Sequence, residues 1–257
     1  QYPDFLFPGT TQYSSDPTPK GLSIEVAMNS INPFNWIKVG LKIKKERPDL
    51  IIVRYWIPFL APCLGTILSI AKSNKHTKVI AIVDNMIPHE KRIGDTLFTK
   101  YFVRSVDGFL TMSKKVQEDV RLFTYKPSCI SPHPIYDHFG EALPTSDARK
   151  LLNLQENEKV ILFFGFVRAY KGLDLLIEAM TDSAIQAAGI KLVIAGEFYE
   201  SPTPYLDQIK ALGLSDCISV YNEYIGERDV KLYVSAADFI IQPYRNATQS
   251  GVTPLAY

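Results

Sequence analysis

Cysteine is scarce in this chain: Cys63, Cys129 and Cys217 are the only three in 257 residues, and they stand far apart. That spacing excludes a disulfide framework and a cysteine metal site, and it points to buried thiols of a reduced compartment. Glycine pairs are lacking as well. No two glycines are separated by one residue, so there is no Gly-x-Gly-x-x-Gly dinucleotide fingerprint. There is no Gly-Lys-Ser/Thr phosphate loop and no Gly-x-Ser-x-Gly nucleophile elbow. No two aspartates are separated by one residue, so the Asp-x-Asp clamp of metal-dependent nucleotide-sugar enzymes is missing. The longest uncharged run of note, Tyr55 to Ala71, has 17 residues and is broken by Pro58 and Pro62. It is short of the ~20 residues a membrane span needs and reads as a strand end and a core helix. The opening Gln1-Tyr2-Pro3-Asp4 carries no basic segment followed by an apolar one, so no secretory leader is expected in it.

The formal net charge is +1, which offers nothing to a bulk polyanion, and no nucleic-acid partner is expected. The charge is unevenly split. Residues 1–145 hold 18 Lys+Arg against 13 Asp+Glu, and residues 146–257 hold 10 against 14. A basic first half suits an anionic membrane or an acidic acceptor.

Apolar runs alternate with helical patterns. Strands are expected at Asp49–Tyr55, Lys78–Asp84, Gly108–Met112 and Ser128–Ser131. Helices are expected at Ala61–Lys72, Ile93–Arg104 and Lys114–Leu122, the last capped by Ser113. A polar segment, Gly140 to Glu158, reads as a linker holding a short helical piece near Ala148–Leu152. The pattern then restarts, with strands at Val160–Phe164, Lys191–Ala195, Cys217–Tyr221 and Phe239–Gln242. Helices follow at Leu173–Met180, Tyr205–Leu212 and Glu227–Ala236, and one begins near Val252. Such alternation predicts an α/β fold of two parallel-sheet domains, 1–145 and 146–257. Because the pattern starts and stops abruptly, the chain reads as a piece truncated at both ends.

The segment Phe163 to Ala179 is the most informative. An apolar strand ends at Gly165, a loop with Arg168 and Lys171 follows, and a helix opens with Leu173, Leu176, Ile177 and Met180 at i, i+3, i+4 and i+7. Two loop cations beside a helix start can hold a phosphorylated ligand. Three further candidates sit past predicted strand ends, where open α/β sheets bind ligands. They are Gly196-Glu197, the Asn222-Glu223-Tyr224 step, and the small, hydroxyl-rich Thr248-Gln249-Ser250-Gly251-Val252. In the first half, Asn85, His89 and Glu90 stand on a loop past a strand end, fit to hydrogen-bond a sugar or wall a cleft.

These residues resemble glycosyltransferase family 4, in a bacterial branch. The resemblance rests on Phe164-Gly165 to Ala179, Ala195-Gly196-Glu197 and Ala236-Ala237-Asp238 to Pro243. In the first half it rests on Phe7-Pro8-Gly9-Thr10-Thr11-Gln12, Asn85 to Glu90 and Pro132-His133-Pro134-Ile135-Tyr136. It implies a GT-B fold, two Rossmann-like domains facing a cleft, with an acceptor-side domain at 1–145 and a nucleotide-sugar donor domain at 146–257. It implies a metal-independent, retaining glycosyltransferase of hexosyltransferase type, without a cofactor. The donor would be a nucleotide sugar and the acceptor a glycan or lipid-linked molecule, in bacterial surface polysaccharide or glycolipid synthesis. The protein would be cytoplasmic, with a peripheral contact at the inner face of the membrane. Arg168 and Lys171 would grip the donor diphosphate and stabilise the leaving nucleotide. His89 would sit over the donor sugar, and Gly165, Gly196, Glu197, Tyr224 and 248–252 would line the donor. Asn85 and Glu90 would face the acceptor. One departure stands out. Where the family usually carries two glutamates eight residues apart, this chain has Thr248 and Ala256, which implies a rewired donor site. A non-catalytic GT-B binding module and a GT-B nucleotide-sugar epimerase are the alternatives.

Overall fold

The structure, a computed structural model, describes residues 21–88, 92–136, 138–247 and 250–256. The chain divides into two compact units, Gln1–His133 and Pro134–Tyr257.

In the first unit the described elements run α1 (Pro33–Glu46), β1 (Leu50–Tyr55), α2 (Ala61–Lys72), β2 (Lys78–Val83), α3 (Asp95–Ser105), β3 (Gly108–Thr111), α4 (Lys114–Arg121) and β4 (Ser128–Ile130). The strands form one parallel sheet in the order β1-β2-β3-β4. In β2 the alternate residues Val79, Ala81 and Val83 are fully buried, as an apolar run between helical layers requires. The Tyr55 ring stacks on Phe102 with centroids 4.2 Å apart, and its hydroxyl meets Thr99 Oγ1 at 3.0 Å. That buried pair fixes α3 against the end of β1. The uncharged run from Tyr55 to Ala71 is a strand end, a 3₁₀ turn at Pro58–Leu60 and α2. Among the described residues no helix is long and apolar enough to cross a membrane.

Helix α1 was not expected. Of its 14 residues only Gly40 is buried, and the stripe at Trp36, Val39, Gly40 and Ile43 is otherwise only half-buried. Its end signals are present: Asn32 accepts from the backbone N–H of Phe34 and Asn35, Pro33 opens the helix, and Lys44 and Lys45 close it. At Gly40 a Cβ would stand 2.9 Å from Ile70 Cβ, so α1 and α2 pack closely there.

In the second unit the described elements run α5 (Thr145–Leu151), β5 (Lys159–Phe164), α6 (Leu173–Ala179), α7 (Ser183–Ala187), β6 (Ile190–Ala195), α8 (Thr203–Ala211), β7 (Ile218–Tyr221), α9 (Glu227–Ala236) and β8 (Phe239–Ile240). The sheet is parallel, in the order β7-β6-β5-β8. The chain steps from β5 outward to β7, then returns to place β8 on the far side of β5. The order therefore reverses at β5, and in open α/β sheets ligands bind outside the strand ends at such a point. α7 was not expected, and β8 is two residues rather than four. The helix expected near Val252 is a 3₁₀ turn at Thr253–Ala256.

The segment 140–158 is not a linker. The first unit ends at His133, and α5 packs on α9 inside the second. The reason is Arg149, 5% exposed. Its guanidinium donates to the carbonyls of Ala236 (3.0 Å) and Glu156 (2.6 Å) and to Asp238 Oδ2 (2.9 Å). Asp238 Oδ2 also accepts from the Val160 N–H at 2.7 Å. A buried cation needs this much pairing, and a polar sequence segment hides it. The expectation of three buried thiols also fails in part. Cys63 is buried, which pushes its thiol up to about 11, Cys217 is half-buried and Cys129 is exposed.

Arg149→Ala is expected to destabilise the second unit by about 3 kcal/mol, the low end for breaking a buried pair, because the Asp238 side chain stays 43% exposed and solvent takes up part of its charge. Both tryptophans, Trp36 and Trp56, lie in the first unit. In urea, circular dichroism should therefore show the early loss while tryptophan fluorescence stays on the wild-type curve.

Candidate functional site

The loops after β5 and β8 meet at the reversal point. Directly after β5 comes Gly165, with φ +89°, and directly after β6 comes Gly196, with φ +150°. A Cβ on Gly196 would lie 2.3 Å from the Gly165 carbonyl oxygen, so the two strand ends approach as only glycine permits. Beyond them the ladder continues: Val167 N–H donates to Glu197 O (2.9 Å) and Tyr199 N–H to Val167 O (3.1 Å). This pairing carries the first loop forward, and the 3₁₀ turn Ala169–Lys171 then folds it back to α6.

The turn points Lys171 inward. Its side chain is only 8% exposed, and its Nζ lies 5.7 Å from the centre of the Tyr244 ring. A Cβ on Gly165 would stand 3.5 Å from that Nζ and 3.7 Å from Val252 Cγ2, so Gly165, Lys171 and Val252 surround one space. Burial lowers the ammonium to about 8, and the nearby Arg168 charge pushes the same way. Arg168 is half-buried, with its guanidinium 4.9 Å from the centre of the Tyr199 ring. Among the described residues neither cation is in a salt bridge. Two cations side by side, one desolvated and without a carboxylate, form a place for an anion.

Arg245, just past β8, holds the turn from outside. It pairs with Asp174 in the first turn of α6 and donates to the Ala169 carbonyl at 2.9 Å, while its backbone N–H meets Tyr170 O at 2.9 Å. Arg245 holds the Asp174 carboxyl below the usual range. The helix start therefore carries its own acid close to its first N–H groups, and the positive character expected there rests on Arg168 and Lys171 instead.

The other candidates fall into place unevenly. The Ser250 hydroxyl lies 3.4 Å from Tyr244 OH and accepts from the Val252 N–H at 3.2 Å, which brings 250–252 beside Lys171. The Glu197 carbonyl is spent on the ladder, while its half-buried side chain raises the neighbouring Tyr199 hydroxyl, whose main cause of elevation is burial. Tyr224 is exposed, 6.2 Å from Phe166, and Phe166 packs on Tyr199 at 4.4 Å. Phe166, Tyr199, Tyr244 and Arg245 were not singled out in the sequence. Tyr199 follows Glu197 by two residues, the spacing that puts both on one face of an extended strand. Ala256 lies exposed in the last 3₁₀ turn. His89, Glu90, Thr248 and Gln249 lie outside the described residues. Asn85 is half-buried on the loop past β2 in the first unit, two residues beyond its end. Among the described residues no cluster of three His, Cys, Asp or Glu could hold a metal.

A parallel sheet with a cationic crevice at its reversal point has the layout in which open α/β sheets take ligands. Comparison with known proteins narrows this. Residues 145–255, nearly the whole second unit, match the family "Glycosyl transferases group 1". The GDP-mannose:glycolipid 4-beta-D-mannosyltransferase of Xanthomonas campestris pv. campestris is 31% identical over 101 residues, 37% of this chain and 27% of that protein. HepE of Anabaena, solved in complex with UDP, has a TM-score of 0.70 and 14% identity over 86% of this chain and 60% of that one. Sucrose-phosphate synthase of Thermosynechococcus elongatus has a TM-score of 0.69 and 16% identity over 86% and 57%. The likeness shows the GT-B fold that the sequence led one to expect. The chain spans between 22% and 27% of the length of the curated relatives it matches.

Lys171→Met should test the desolvated cation directly. The folded-state value, about 8, lies below the ordinary 10.5. Between those values the unfolded chain holds the proton more tightly, so wild-type stability rises with pH across that window. Each pH unit between the two values corresponds to about 1.4 kcal/mol, and relaxation of the site takes back part of it, so at pH 7 the variant is expected to be more stable by about 2 kcal/mol. Urea titrations at pH 7 and pH 10 should show the gap close. A gap of equal size at both would place the ammonium in water.

Proposed function

We propose that this chain is a glycosyltransferase that holds a nucleotide-sugar donor in its second unit. Arg168 and Lys171 face the diphosphate and stabilise charge on the leaving nucleotide. The observation that carries this reading is Lys171, buried beside a second cation with no carboxylate partner among the described residues. A diphosphate supplies the missing counter-charge. The aromatic group Phe166, Tyr199 and Tyr224 flanks the crevice and offers ring faces to a base. The family match over residues 145–255 and the HepE structure with UDP support the donor class.

The finer reading extends this. Transfer proceeds with retention and without a metal, as in the hexosyltransferases of family 4. The first unit presents the acceptor through Asn85 and Glu90, and His89 serves the donor sugar. The acceptor is a glycan or is lipid-linked, a choice supported by the glycolipid acceptor in the name of the Xanthomonas relative. The product belongs to bacterial surface polysaccharide or glycolipid synthesis, made in the cytoplasm with the basic first unit against the membrane. Gln249 or Ser250 takes the ribose hydroxyl that the family's glutamate would bind.

Titration calorimetry with a panel of nucleoside diphosphates and nucleotide sugars should give binding, and Arg168→Ala with Lys171→Ala should abolish both binding and turnover. Because phosphate raises the Lys171 pKa again, binding near pH 8.5 should take up protons, visible as a heat that varies with the ionisation enthalpy of the buffer. Turnover unaffected by a chelator, and an anomeric proton in the product with the donor's configuration, are the further outcomes expected. An inverted product would remove retention from the reading. Binding without transfer to any acceptor would leave a binding module.

A further inference from the structure

The second unit holds a cavity outside the cationic crevice. It measures about 470 Å³, a size that takes small molecules, and it opens between the 3₁₀ turn Ala169–Lys171 and α8. Tyr170, Asp174, Pro204, Tyr205, Gln208 and Arg245 line most of it, and none of Gly165, Arg168, Lys171 and Val252 does. Tyr205 is 9% exposed, and its hydroxyl has no hydrogen-bond partner among the described residues. Its ring packs edge-on to Phe198, with centroids 5.6 Å apart. Burial raises the hydroxyl above the usual tyrosine range, and the Glu200 and Asp174 charges push the same way. A buried hydroxyl without a partner costs free energy, so its place on the cavity wall calls for a ligand group. Gln208, three residues further along α8, is engaged on one side only. Its Nε2 donates to the Asp174 carbonyl at 3.0 Å, and its Oε1 accepts nothing among the described residues.

The charges of the lining cancel. Its one cation, Arg245, and its one carboxylate, Asp174, already pair with each other in a fork. A phosphate, a carboxylate or an amine therefore finds no opposite charge to spare, in contrast to the crevice. What the cavity offers is neutral groups that donate and accept, the Tyr205 hydroxyl and the Gln208 amide, beside the apolar surfaces of Tyr170 and Pro204. A pyranose ring is built to match: each hydroxyl donates and accepts, and its C–H groups form an apolar face. We propose that this cavity is a second ligand site, which binds one sugar unit of a neutral glycan. Tyr205 and Gln208 hydrogen-bond neighbouring hydroxyls, the Asp174–Arg245 pair forms a polar wall, and Tyr170 covers the apolar face. The site goes beyond the donor reading and stands on the cavity's own residues, whatever the crevice holds.

The test is an NMR titration of the whole chain, labelled in its tyrosine rings, with the methyl pyranosides of mannose, glucose, galactose and N-acetylglucosamine. At least one of these neutral probes should bind and shift the Tyr170 and Tyr205 signals. Tyr205→Phe and Gln208→Ala should each weaken that binding about fivefold, the loss of one hydrogen bond. Both should leave UDP binding at the wild-type level. Tyr205→Phe removes only an unpaired hydroxyl, so its urea midpoint should not fall. Arg168→Ala with Lys171→Ala should do the reverse, removing UDP binding and sparing the glycoside. The inference is overturned if none of the four probes binds, if either single variant binds undiminished, or if glycerol moves the same signals as strongly, which would make the cavity a seat for any small polyol. Loss of glycoside binding in the double variant overturns it as well, because the sugar would then sit in the crevice. UDP binding without glycoside binding removes this site alone, and glycoside binding without UDP binding removes the donor reading alone.

Discussion

Everything in the second unit's crevice depends on how close β5 and β6 come at their carboxyl ends. Gly165 and Gly196 meet with no room for a methyl group on the second, and the ladder continues past them through Val167 and Phe198. That continuation decides where the first loop can turn. The 3₁₀ turn at Ala169–Lys171 follows directly, and Gly172, with φ +71°, closes it against the carbonyl of Pro243. A Cβ at Gly172 would lie 2.2 Å from that oxygen, so the loop after β8 is pressed onto the loop after β5. The two cations owe their position to this stack of backbone contacts, and Arg245 bolts it from outside.

The desolvation of Lys171 is a cost that the unliganded fold bears. An exposed loop lysine would lose less on folding and would also grip a phosphate less firmly, since charge attraction strengthens as water is removed. Tyr244 and Val252 supply the apolar cover, and both come from the stretch after β8. The same stretch contributes Ser250, so a single segment both dries the cation and supplies a hydroxyl near it.

How much of this could be read from the residues depends on the distance over which each signal acts. Strand positions were legible because buried parallel strands are short apolar runs, and Val160–Phe164 and Lys191–Ala195 differ from the observed elements by one residue at one end. The basic loop was legible because its cations interrupt that pattern. α1 was hidden because its inward stripe, Trp36, Val39, Gly40 and Ile43, is mostly half-buried and has a glycine at its close approach to α2. The linker reading of 140–158 failed because the partners of Arg149 lie as far as 89 positions away along the chain, and no local pattern reveals them. Tyr244 and Arg245 escaped for the same reason: their partners, Lys171 and Asp174, belong to the loop and helix after β5. The expectation of a favourable helix start failed on a local detail, the presence of Asp174 in a helix of seven residues.

The clasp between Arg149 and Asp238 has a consequence for the order in which this polypeptide is made. Arg149 leaves the ribosome well before Ala236 and Asp238, the groups that neutralise and cap it. Until they emerge, α5 has no satisfied seat, and its guanidinium stays in water. β8 follows Asp238 directly, so the emergence of this strand and the docking of α5 are coupled. A nascent chain stopped before Asp238 would hold β5, β6 and β7 and none of the closure, so the emergence of Asp238 is the event that lets α5 lock in place.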